Sequence, residues 1–149
     1  MFYAFGYGLL CVMKNEQLTK EERATRMHID DLHFEHQQWV REMQFFKEEL
    51  EFFRHRLEEV AARYTAIEVM KELEKFQNQL YIQGNAMDQL IHDVNEHEHF
   101  LAKYAEENPV AVDRVLFEDH GPLRARIDTN RAIVEDFKRD YLRFLVKWM

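Results

Sequence analysis

The amino-acid sequence predicts an all-α protein: an up-down-up bundle of three long antiparallel helices with heptad-patterned seams. Three observations predict it. Apolar residues recur at alternating four- and three-residue spacing over most of the chain, the period of long packed helices. Only four Gly and two Pro occur in 149 residues, too few for a loop-rich or β-rich fold. Apolar residues make up 46% and charged residues 32%, enough to bury one core and keep a charged exterior.

Helix one is predicted over 20–64. Thr19 before Lys20, Glu21 and Glu22 reads as an N-cap with acid in the first turn, and the long regular stretch runs from Asp31 to Tyr64. Its seam is Leu32, His36, Trp39, Met43, Phe46, Leu50, Phe53, Leu57, Val60 and Tyr64. The spacing never slips along it. Thr65 is the expected cap of helix two, predicted over 66–106. That seam is Val69, Leu73, Phe76, Leu80, Gln83, Met87, Leu90, Val94, His97, Leu101 and Tyr104. Gly84 lies inside it. Glycine costs about 1 kcal/mol in a helix interior, but the heptad phase carries across it.

Asn108-Pro109 marks a break and a restart, with Asn as cap and Pro at the first helical position. Helix three is predicted over 109–148, with the seam Leu116, His120, Leu123, Ile127, Asn130, Val134, Phe137, Tyr141, Phe144 and Trp148. Gly121-Pro122 interrupts it. Proline removes a helical hydrogen bond and kinks the chain. Two readings stand: one kinked helix, or a short helix over 109–119 followed by a separate one from 122. The kinked helix is preferred, because the phase survives and its length then matches helix two. Short links hold the three helices in up-down-up order, each spanning about 50–60 Å at 1.5 Å per residue.

Residues 1–18 are an apolar extension. The run from Met1 to Met13 holds aromatic residues and Gly6 and Gly8. It lacks the basic start and small-residue cleavage site of a signal peptide and is too short to span a bilayer as a helix. Three readings are open for it: an ordered extension packing on the bundle as a fourth element, a segment upstream of a natural start at Met13 or Met27, or a weak membrane contact.

A net charge of −8 repels phosphate, and no stripe of Lys and Arg offsets it, so nucleic acid is not an expected partner. The single cysteine, Cys11, allows no intramolecular disulfide and no cysteine-based zinc motif. It sits in an apolar stretch, with nothing to activate a thiol. A reducing, cytoplasmic setting fits, and membrane association is not expected. There is no glycine-rich phosphate loop and no Gly-x-Ser-x-Gly elbow. Carboxylates such as Glu48, Glu49, Glu51, Glu58 and Glu59 fall on outer faces and read as solvated charge. An enzyme is therefore not the expected class, although composition does not settle the point.

The polar residues inside the seams carry the functional signal. With the first turn near residue 65, antiparallel pairing sets His36 opposite Val94, one turn from His97. With the second near residue 108, His97 falls opposite Asp119, beside His120. The three seam histidines thus share one level. Gln83 falls opposite Arg131, beside Asn130, so the two seam amides share another level, about 20 Å away at 1.5 Å per residue. His33 and Asp93 border the seams near the histidines and are candidates to orient them, as is Glu96. By the heptad phase His55, His92 and His99 face outward, and His28 carries no signal.

Three inward imidazoles suit zinc, iron, copper or nickel, and three histidines with a water form a catalytic zinc geometry. His36, His97 and His120 are therefore the candidate metal ligands, for zinc or iron. Gly121-Pro122 beside His120 would loosen the helix where access is needed. The competing reading is a buried polar layer that fixes register at a cost in stability, and the Gln83–Asn130 layer favours it. Two families of metal-binding bundles offer a comparison. Di-iron carboxylate bundles need Glu-x-x-His on two helices, whereas Glu96-His97-Glu98-His99 has another spacing. Hemerythrin-like bundles use inward helical histidine and glutamate pairs, whereas His55 and His92 face outward and the gap from His92 to His97 does not match. Neither resemblance carries residues over.

Phe45 and Phe52, and Leu142, Leu145 and Val146, widen the apolar stripes beyond what three helices need. They predict either cover from the N-terminal segment or a surface for self-association, as a symmetric dimer, or for a protein partner. The function expected from sequence is a non-enzymatic interaction or scaffold bundle, and the alternative is a metal-binding bundle with a three-histidine core layer.

Overall fold

The computed structural model describes residues 20–107 and 115–149, with backbone alone for 20–28 and 115–119. Its elements are α1 (Lys20–Arg63), α2 (Ile67–Glu107) and α3 (Val115–Trp148), of 44, 41 and 34 residues. They form a three-helix bundle, α2 running against α1 and α3 against α2. The N-terminal extension, the Thr19 cap and the Asn108-Pro109 restart lie outside the described residues.

Burial follows the predicted seams closely. On α1 every seam residue from Leu32 to Val60 is buried, and Tyr64 is half-buried. On α2 the seam is buried except at His97 and Tyr104, which are half-buried. On α3 it is buried from His120 to Phe144, and Trp148 is half-buried. Aromatic rings fill the end near the first turn. Phe53, Phe76, Phe137, Tyr141 and Phe144 pack ring against ring, with centroids 4.7–6.2 Å apart. The buried Tyr141 hydroxyl donates to the Phe53 carbonyl at 2.6 Å, which spares a polar group the cost of lacking a partner in the core.

Two local expectations need adjustment. The cap of α2 is Ala66, whose carbonyl accepts from Met70 N–H at 3.1 Å. Thr65 stands one residue too early, because the link from residue 64 to 66 uses it to reverse the chain. At Pro122 the helix continues, and α3 is one element from Val115 to Trp148. The separate-helix reading is thereby excluded over these residues. Proline lacks an N–H and so costs one helical bond, while His120 before it and the seam from Leu123 onward are buried.

The flanks of the seams carry a feature that was not read from the sequence. With His36 as heptad position a, Glu35, Glu42 and Glu49 fall at successive g positions of α1. They meet Arg124, Arg131 and Lys138, at successive e positions of α3. Arg124 donates to Glu35 at 2.7 and 2.8 Å and Arg131 to Glu42 at 2.6 and 2.7 Å, while Lys138 lies 2.5 Å from Glu49. Pairing of g with e belongs to parallel helices, and α1 and α3 are the parallel pair. Between the antiparallel α2 and α3 the facing flanks are g with g, as in Asp93–Arg126 at 2.6 Å and Glu72–Lys147 at 2.6 Å. Helix direction thus decides which charges meet.

Candidate metal centre

Each helix delivers one seam histidine to the same level. His36 and His120 are each 2% exposed, and His97 is half-buried. Ring centroids lie 4.9 Å apart for His36–His97, 5.0 Å for His36–His120 and 5.6 Å for His97–His120. His36 Nε2 lies 3.0 Å from His97 Nδ1 and 3.2 Å from His120 Nδ1. One nitrogen from each ring fits within a set whose members are all within 4.8 Å of one another. A tetrahedral ion with bonds of about 2.0–2.1 Å holds its ligand nitrogens about 3.3 Å apart. The two spacings measured from His36 Nε2 are close to that edge length.

Trp39 forms one wall, stacked on His120 with centroids 4.9 Å apart and planes inclined by 22°. Leu32 and Leu101, both buried, pack together one heptad step beyond on α1 and α2. Toward solvent, a groove of about 280 Å³ between α1 and α2 includes His33, His36, Gln37, Asn95 and Glu98 in its lining.

Two carboxylates hold the outward sides of the rings. Glu98 Oε2 lies 2.5 Å from His36 Nδ1, and Glu35 Oε2 lies 2.7 Å from His120 Nε2. Arg124 holds the Glu35 carboxyl below its usual range, with His120 adding to the effect against partial burial. Burial works against charge on Glu98, but hydrogen bonds from His36 and His33 outweigh it and lower its pKa. Both are carboxylates at neutral pH. Burial lowers the His120 pKa, against the opposing pull of Glu35, and so favours the neutral ring that a metal requires.

The candidate ligands His36, His97 and His120 are thus brought together. His33 is placed on Glu98, with its Nδ1 in close contact with the carboxylate. Asp93 is placed elsewhere: it accepts from Arg126 and, at 2.8 Å, from Gln89, and these bonds lower its pKa. Glu35 and Glu98 were missed in the sequence. Each is the chain neighbour of a seam histidine, at position g of α1 and e of α2, and a search of seam flanks for carboxylates would have found both. The seam amides Gln83 and Asn130 are both buried, at 9% and 5% exposed. Asn130 Nδ2 donates to Met43 Sδ at 3.4 Å, and Gln83 Oε1 has no hydrogen-bond partner among the described residues.

Among the described residues no helix is long and apolar enough to cross a membrane. Comparison with known proteins returns no matching family model, no matching curated protein and no matching solved structure.

Proposed function

We propose that the protein is a metal-binding helical bundle that holds a divalent first-row ion, zinc foremost and iron next, through His36, His97 and His120. The observation that carries this reading is the approach of His36 Nε2 to His97 Nδ1 and His120 Nδ1 at 3.0 and 3.2 Å. A layer serving register alone needs buried polar contact, whereas a metal needs one nitrogen from each helix aimed at a common point. Carboxylates behind two of the rings are the usual outer support of metal-bound histidine. Three protein nitrogens leave a fourth position for water or a small anion. A bundle fold implies no reaction by itself, and none is assigned.

Elemental analysis of untagged protein tests the reading, with about one zinc or iron per chain expected. The metal-free form should gain thermal stability with zinc, by roughly 2.7 kcal/mol at a hundredfold excess over Kd, and His97→Ala should lose that gain. Metal-free protein that gains no stability from zinc or iron would sink the idea.

A second reading keeps the bundle as an interaction or scaffold protein, in a cytoplasmic setting and self-associated or bound to a protein partner. It is supported by Phe45, Phe52, Leu142 and Val146, which are 55%, 54%, 53% and 87% exposed. Light scattering tests it, and a strictly monomeric protein without partners would count against it.

A further inference from the structure

We infer that Glu98 and Glu35 are positioning residues that fix the tautomers of His36 and His120, so that the two rings turn bare nitrogens toward a shared cation. The inference rests on the metal-binding reading above and adds what determines the ligand atoms. A neutral imidazole has one N–H and one lone pair, and an ionised carboxylate only accepts. The ring nitrogen facing a carboxylate therefore carries the proton.

In the neutral ring, Glu98 Oε2 at 2.5 Å puts the His36 proton on Nδ1 and leaves Nε2 bare. Glu35 Oε2 at 2.7 Å puts the His120 proton on Nε2 and leaves Nδ1 bare. These two bare nitrogens are the ones that face each other at 3.2 Å. Two lone pairs at that distance repel, and a cation between them turns the repulsion into two bonds.

Both carboxylates are themselves held. Arg124 grips Glu35 with two N–H groups at 2.7 and 2.8 Å. The second oxygen of Glu98 accepts from His33 Nδ1. His33 Nε2 in turn accepts from Gln37 Nε2 at 2.8 Å, which leaves the His33 proton on Nδ1, pointing at Glu98. The hydrogen-bond directions are consistent from the half-exposed His33 inward to His36. This explains why one ring offers Nε2 and another Nδ1: the carboxylates stand on opposite sides of the layer, at the α1–α2 and α1–α3 flanks.

The test has two arms. Long-range proton–nitrogen NMR on metal-free protein labelled at histidine reads the tautomers directly, and His36 should show Nδ1–H and His120 Nε2–H. Zinc titration of the folded, metal-free variants should show E98Q and E35Q weakened about 10–100-fold. The E98Q ring should also lose its single tautomer. An Nε2–H tautomer on His36 in the parent protein, or E98Q affinity within about twofold of the parent, would overturn the inference. The tautomers are read without metal, so a parent protein that binds no zinc defeats the metal reading separately.

Discussion

Glu35 on α1 and Arg124 on α3 form a two-pronged ion pair, and the oxygen of Glu35 that meets His120 also accepts from Arg124, at 2.7 Å in each case. The first rung of the charged ladder between the parallel helices is therefore also the support of a candidate metal ligand. Register and site share one carboxylate, so an error of one heptad between α1 and α3 would take Glu35 from both Arg124 and His120.

The middle rung isolates the register role. Glu42 and Arg131 are 26% and 39% exposed and touch no histidine in the candidate centre. Glu42→Arg should destabilise by on the order of 1 kcal/mol, through like charges set opposite each other. The double reversal Glu42→Arg with Arg131→Glu should recover most of that loss. Urea unfolding of the four proteins gives the coupling energy, and a coupling of zero would remove the ladder from the account of register.

Gln83 is a weak point of the α2 seam. Its buried Oε1 has no hydrogen-bond partner among the described residues, and an unsatisfied buried polar atom costs about 1–3 kcal/mol. Gln83→Met keeps the volume and removes the oxygen, so stability should rise by about 1 kcal/mol. A destabilised Q83M protein would show that the amide contributes more than it costs.

Gly84 is helical, and a Cβ built on it meets nothing within 4 Å. Neither packing nor backbone conformation demands glycine there. Gly84→Ala should stabilise by about 1 kcal/mol, which is roughly 2–4 °C in Tm for a chain of this size. A lower Tm in G84A would reveal a contact at that face that the bundle does not display.

At the far end, Lys147 and Trp148 hold Glu72 by hydrogen bonds of 2.6 and 3.2 Å. The Lys147 bond is the main cause of a carboxyl pKa below its ordinary 4.5. The folded pKa is depressed, so the stabilisation is fully present above about pH 4.5 and is lost as pH falls through the folded value. The group is partly exposed, so the effect should not exceed about 1 kcal/mol. Thermal scans of the parent and E72Q should differ at pH 7 and converge as the pH falls through the depressed folded value. A gap that persists in acid would assign the effect to packing instead.

Much of the fold was legible in residue spacing alone. The nine α1 seam positions from Leu32 to Val60 are buried as expected, and the phase predicted continuity through Gly84. Ala66 was not legible as a cap, because the link between α1 and α2 is too short for its phase to be read from propensities. Glu35, Glu42 and Glu49 were legible only as charge. Their partners lie 89 residues away on α3, and no local pattern names a partner at that separation.

By itself, the sequence determined three helices, the face each one buries, and the shared level of His36, His97 and His120. Those properties follow from a period of three to four residues and from short links, both of which are local. Only the tertiary structure decided which nitrogens approach, which carboxylates stand behind them, and that His33 meets Glu98 while Asp93 meets Arg126. The reason is one of scale. Counting residues along antiparallel helices fixes axial level to about one turn, roughly 5.4 Å. A hydrogen bond or metal bond is decided within a few tenths of an ångström, by how each helix is rotated and which rotamer its neighbours permit.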